Sequence, residues 1–215
     1  LGALVVIRPR ARKAETSREP WRTQFAAGFR WAFGFLPTRA ALLLVAAVTL
    51  TVSPYQALAP YFAKEVFHGD SSTLGVLIGA GGFGAVSGVV YLALRPSVRG
   101  LLGLMPVAAA AAGAAVIGFT QTHTLWLGAL CIYVVGMGSM IGATATNTIL
   151  QSIVEDRLRA RVAAVYMLSF LGMAPIGALA AGWAAERIGA PAALATGGGL
   201  AVLAAALFWL ALPSM

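Results

Sequence analysis

The chain of 215 residues is 60% hydrophobic and only 10% charged, against about 25% charged in soluble domains. Because the deficit runs over nearly the whole length, it excludes a soluble protein with a single anchor and predicts an integral membrane protein. The formal net charge of +8 falls mainly between apolar runs, so it reports topology; no nucleic-acid partner is expected.

Leu1 to Ile7 is apolar and reads as the end of a preceding transmembrane helix, which suggests a fragment of a longer protein. Residues 8–37 form a basic cytoplasmic linker, opened by RPRARKAETSRE, where Pro9 and Ser17 oppose a packed element. Within it, Pro20 suits the first turn of a helix, and Trp21, Phe25, Phe29 and Phe33 recur every four residues opposite Arg22 and Arg30. That spacing predicts an amphipathic helix, lying on the membrane surface or packed on the protein itself. Pro37 should end it, and Thr38 should cap the next helix.

Residues 38–212 read as a six-helix transmembrane bundle, and residues 213–215 as a cytoplasmic tail. The apolar runs are Ala40 to Ala63, Thr73 to Leu94, Leu101 to Phe119, Leu125 to Gln151, Val162 to Ala185 and Pro191 to Leu212. Each is long enough to cross a bilayer at 1.5 Å per helical residue. Charge orients them. If the linker is inside, the inside segments carry Arg8, Arg10, Arg12, Lys13, Arg18, Arg22, Arg30, Arg39, Arg95, Arg99, Arg157, Arg159 and Arg161, and the outside loops only Lys64 and Arg187. Basic residues resist translocation, so both chain ends are expected in the cytoplasm, with His68 and His123 outside.

No apolar run contains Asp, Glu, Lys, Arg or His, and neither a phosphate-binding GxxxxGK[ST] loop nor an HExxH metal pair is present. An enzyme, a cofactor and a metal are therefore not expected. The lone Cys131 allows no internal disulfide. What remains is uncharged polarity at helical spacing. Thr144, Asn147, Thr148 and Gln151 share one face of the fourth run, and Thr49, Ser53 and Gln56 one face of the first, beside Pro54 and Tyr55. The hydroxyls can bond their own helix backbone. The amides must avoid lipid, by facing a wet cavity or a neighbouring helix.

The second run is rich in glycine (Gly75, Gly79, Gly81, Gly82, Gly84, Gly88), as is the fifth (Gly172, Gly177, Gly182, with Ala178). Small residues let membrane helices approach closely, and Gly79, Gly84, Gly88, Gly172, Pro175 and Gly177 are the packing candidates. Pro175 removes a backbone bond in mid-span. Each glycine-rich run is the second of three, which suggests two three-helix inverted repeats. Before the fifth run, Arg157, Arg159 and Arg161 stand beside Glu155 and Asp156. They mark topology and are candidates for a cytoplasmic gate closed by ion pairs.

Two stretches, SPYQALAPYFAKEVFHGDSSTLGVLIGAGGFGAVSG and QSIVEDRLRARVAAVYMLSFLGMAPIGALAAGWAAERIGA, resemble the major facilitator superfamily, in its branch similar to bacterial enterobactin exporters and multidrug exporters. The second is similar to that branch's LRGR loop before a helix with G, P and G: here Leu158, Arg159, Ala160 and Arg161, then Gly172, Pro175 and Gly177. Ala160 departs from the glycine, and LRPSVRG offers Arg95 and Arg99 without the superfamily's loop acid. The resemblance implies an all-α, polytopic six-helix bundle forming one half of a major-facilitator fold, helices seven to twelve of twelve. It implies export of a siderophore-like or drug-like small molecule by alternating access and proton antiport in the bacterial inner membrane. The coupling acids then belong to a missing N-terminal six-helix half, and Tyr55, Gln56, Thr144 and Asn147 line the central cavity. A non-transporting scaffold or sensor, or a half-size transporter working as a homodimer, are the alternatives.

Overall fold

In lipid every backbone N–H and C=O must be satisfied within the segment, which for an apolar run of this length means a helix. The computed structural model describes residues 21–95, 97, 100–155 and 158–212, with the side chains of residues 21–27 left aside. The residues described are all-helical, without strand. Helix α1 (Trp21–Gly34) precedes the first span, which consists of α2 (Leu36–Val52), α3 (Tyr55–Tyr61) and a π-helical turn, Phe62–Val66. Spans two to four are α4 (Ser71–Ala93), α5 (Leu101–Gln121) and α6 (Leu125–Ile153). Span five joins α7 (Arg159–Phe170) to α8 (Met173–Ile188), and span six is α9 (Ala190–Ala211). All six are long and apolar enough to cross a membrane. Leu1 to Ile7, the linker up to Pro20 and the tail 213–215 lie outside the described residues.

The entry to span one differs from expectation. Pro37 does not end α1; it stands in the first turn of α2, where a missing N–H costs nothing. Thr38 is not the cap. Phe35 holds that position in extended conformation (φ −107°, ψ 122°). The buried Thr38 hydroxyl reaches back instead, 2.7 Å from the Ala32 carbonyl oxygen and 2.8 Å from that of Phe35, and so fixes the corner between α1 and α2. At its far end span one continues past Ala63 to Val66, taking Lys64 and Glu65 into its last turn, where both are exposed. Asp70 then caps α4, accepting from the Ser72 and Thr73 amides at 2.9 and 3.3 Å.

Two spans are broken near their middles. Pro54 has no N–H for the Leu50 carbonyl, and α2 gives way to α3 at Ser53–Pro54. Span five breaks at Leu171–Gly172, where Pro175 likewise has no N–H for the Leu171 carbonyl.

Glycine sets which spans touch. A Cβ on Gly84 of span two would strike the Tyr133 carbonyl of span four, and one on Gly136 would strike the Gly81 carbonyl from the other side. On span five, Gly177 stands in the same relation to the Leu50 carbonyl of span one. Spans three and six meet reciprocally: a Cβ on Gly113 would lie 2.6 Å from the Gly198 carbonyl, and one on Gly198 2.6 Å from that of Gly113. Exchanging the first three spans for the last three turns the pairing of two with four into that of five with one, and leaves three with six unchanged. That is the pairing of a 3+3 inverted repeat. Large apolar side chains such as Phe83, Leu179 and Leu210 project outward, as lipid-facing positions should.

Candidate functional site

A cavity of about 440 Å³ lies among spans one to five. Its lining falls near the middle of four spans, Leu44 to Gln56 of Leu36–Val66, Ile78 to Ala85 of Ser71–Ala93, Gly136 to Ala143 of Leu125–Ile153, and Phe170 to Ala174 of Arg159–Ile188, and in the first half of the third, at Met105 and Ala109 of Leu101–Gln121. The walls are mostly apolar, with Thr49, Ser53, Tyr55, Gln56 and Ser139 supplying polar atoms and, among the described residues, with no carboxylate, imidazole, ammonium or guanidinium. Such a surface suits a ligand held by apolar contact and oriented by a few hydrogen bonds.

The break in span one builds the polar corner. By ending α2 it places Tyr55 and Gln56 at the start of a new helical segment, with the Gln56 Nε2 donating to the Tyr55 hydroxyl at 3.5 Å. The Tyr55 ring is buried, whereas Gln56 is exposed. Across from them Gly81 makes the room, since a Cβ there would lie 2.7 Å from the Tyr55 hydroxyl. Next to the cavity stands Tyr166, whose hydroxyl donates to the carbonyl of the lining residue Ala143 at 3.0 Å and whose ring stacks on Phe170, also a lining residue, with centroids 5.9 Å apart. Behind Tyr166 stands an apolar cluster that joins α1 to spans one, four and five: Ala32, Leu42, Val45, Leu150, Val154, Leu158, Val162 and Val165.

The family model described as transmembrane secretion effector matches residues 1–215. The chain belongs to that family, within the major facilitator superfamily. No match was found among curated proteins or solved structures. The chain is accordingly a multi-pass membrane transporter, from a superfamily that in general does not catalyse reactions.

Of the four positions expected to line a central cavity, two line this one. Tyr55 and Gln56 belong to the lining. Thr144 and Asn147 do not: the cavity ends at Ala143, and Asn147 lies four residues further, about 6 Å along the helix. Both are half-buried. Asn147 accepts from the Gln151 Nε2 at 2.9 Å, and the Thr144 carbonyl accepts from the Thr148 hydroxyl at 2.9 Å. Several other hydroxyls bond their own helix in the same way, Thr51 to Ala47, Ser53 to Thr49 and Thr146 to Gly142. Ser139 and Met140 are lining residues missing from the sequence-based set. Their signal was available, because Gly136, Ser139, Met140 and Ala143 share the helical stripe that leads to Asn147.

The packing candidates divide as well. Gly84, Gly88 and Gly177 meet a neighbouring backbone, with a Cβ on Gly88 placed 2.7 Å from the Met137 carbonyl. Gly79 faces open space, and Gly172 meets only Leu168 of its own preceding turn. Pro175 lies in the first turn of α8. In the basic cluster, Arg157 is outside the described residues, Arg159 is exposed, and Arg161 lies against α1, where a Cβ on Gly28 would come within 2.9 Å of the Arg161 Cβ.

Proposed function

We propose that the chain forms the C-terminal half of a proton-coupled exporter that moves a neutral or amphipathic small molecule, of siderophore or drug kind, out of the bacterial cytoplasm by alternating access. The mid-membrane cavity between two broken spans carries this reading, since secondary transporters bind substrate near the midplane beside discontinuous helices. Tyr55, Gln56 and Ser139 orient the substrate, and the apolar walls contribute most of the contact. Coupling acids belong to the N-terminal six-helix half, which supplies the opposite wall, where Thr144 and Asn147 face it. Both ends of the chain are cytoplasmic, in the inner membrane, by the distribution of arginine and lysine. The Tyr166–Ala143 contact and the cluster behind it then close the cytoplasmic side, and Arg157, Arg159 and Arg161 ring that gate.

The test is efflux from cells carrying the protein at its native length. Gln56→Leu removes one hydrogen bond to substrate and should weaken apparent affinity roughly two- to tenfold, with expression and membrane insertion unchanged; unaltered efflux would take Gln56 out of the site. Asn147→Leu should reduce export as well. The mass of the native product is decisive for the half-transporter reading: about this length would favour a homodimer or a scaffold. Labelling of the exposed His68 and His123 by an impermeant reagent should occur from outside intact cells; labelling only in inverted vesicles would reverse the topology.

A further inference from the structure

One face of α1 is fixed to the protein and the adjoining face is left uncovered. Gly28 abuts Arg161, and Ala32, one turn on, is fully buried in the cluster with Val162 and Tyr166. On the next stripe Phe29 and Phe33 stack with centroids 4.3 Å apart. Phe33 leans on the cluster, but Phe29, Phe35 and Leu36 remain 43%, 49% and 38% exposed. A single residue, Phe35, separates α1 from span one, so this apolar surface stands at the level where the bilayer begins.

The exposed stripe continues into the membrane. Leu36, Arg39 and Leu43 are spaced by three and four and share one face of α2, and Leu43 is 53% exposed on a spanning helix, an apolar side chain open to lipid in this bundle. Arg39 therefore sits on a lipid-facing stripe, one turn inside Leu36. Its guanidinium is stable there only by extending along its own stem to the headgroup phosphates. Arg30 is also exposed, and neither arginine forms an ion pair among the described residues. We propose that the Phe29–Phe33 face of α1, flanked by Arg30 and Arg39, docks on anionic lipid headgroups of the adjoining membrane surface. The aromatic rings enter the boundary between headgroup and acyl chain, as on interfacial amphipathic helices, while the two arginines select negative charge. This surface is independent of what the cavity carries.

The experiment uses the full chain with Cys131→Ser and Gly34→Cys, the latter at an exposed position with open space around it, carrying an environment-sensitive thiol fluorophore. The protein is placed in nanodiscs of phosphatidylcholine alone or with phosphatidylglycerol added. The emission should shift to the blue in the anionic discs, and high salt should reverse the shift. At about fivefold for each surface arginine, the bound-to-free ratio of α1 should rise roughly twenty-five-fold. Arg30→Gln with Arg39→Gln should abolish the dependence on lipid charge, and Arg30→Lys with Arg39→Lys should keep it, which separates lost charge from lost folding. Equal emission in the two lipids, or a glutamine pair that behaves as the parent, would overturn the proposal. So would a shift that appears only in discs holding two copies, which would assign the face to a second copy of the chain.

Discussion

Gly81 and Tyr55 offer the sharpest test of the cavity's construction. An alanine at 81 would set its Cβ 2.7 Å from the Tyr55 hydroxyl, where ordinary contact begins at 3.4 Å. The hydroxyl must then yield by 3.4 − 2.7, about 0.7 Å, and the ring that carries it is buried. Overpacking of this kind costs about 1–3 kcal/mol, offset by the roughly 0.5–1 kcal/mol that alanine gains over glycine inside a helix. Gly81→Ala should thus destabilise by about 0.5–2 kcal/mol. In a Tyr55→Phe background the offending oxygen is gone. The nearest ring atom, Cζ, lies at 3.7 Å, which leaves only Ile132 Cγ2 at 3.2 Å to adjust. There the substitution should be near neutral, giving a coupling energy of about 0.5–2 kcal/mol, within the range for residues in contact. The measurement is equilibrium unfolding in mixed micelles for the four proteins of the cycle. Gly79→Ala, half a turn away and facing open space, serves as the control and should not destabilise. An equal cost of Gly81→Ala in both backgrounds would refute the placement of the Tyr55 hydroxyl, and with it the polar corner of the cavity.

The same geometry gives three further outcomes. Gly198→Val should separate spans three and six and cost about 1–3 kcal/mol, whereas Gly199→Val meets open space and should be far milder; unfolding in mixed micelles compares the two. Thr38→Val keeps the shape but leaves the Ala32 carbonyl without its partner, for about 1–3 kcal/mol, and should appear as faster hydrogen exchange and proteolysis at the α1 corner. The Asp70 carboxyl is held below its ordinary pKa by the Ser72 hydroxyl first, and then by the Thr73 and Ser72 amides. A folded value below the unfolded one gives stability present above the unfolded value of about 3.9 and lost as pH falls through the folded value. Protection from exchange at the start of α4, taken relative to the intrinsic rate at each pH, should therefore fall in acid below about pH 4, and Asp70→Asn should remove that dependence.

The six spans were legible because hydropathy is a property of consecutive residues: a run without charge has to form a helix in lipid wherever it packs. The prolines were legible as faults but not in their consequence. Pro37 starts a helix and Pro54 breaks one, and the difference lies in what precedes them: the chain turns extended at Phe35 before Pro37 and begins a new helix there, whereas Pro54 follows a continuous helical run whose Leu50 carbonyl loses its donor. Thr38 misled because a hydroxyl beside a helix start resembles a cap, while its acceptors, Ala32 and Phe35, depend on the turn of the chain at Phe35.

By itself the sequence determined the class, all-α and membrane-spanning, and the faces on which uncharged polar residues gather, since both follow from helical periodicity. Depth and partnership it could not determine. Gly79 and Gly84 belong to one glycine run on one helix, yet only Gly84 meets a carbonyl of span four, because the crossing point is set by both helices. Asn147 and Ser139 lie on one stripe two turns apart, yet only Ser139 lines the cavity, whose span-four lining stops at Ala143, where the Tyr166 hydroxyl of span five bonds the backbone. Which part of a polar face lines the cavity depends on where the other spans come to lie beside it, and that is set only once the spans have packed.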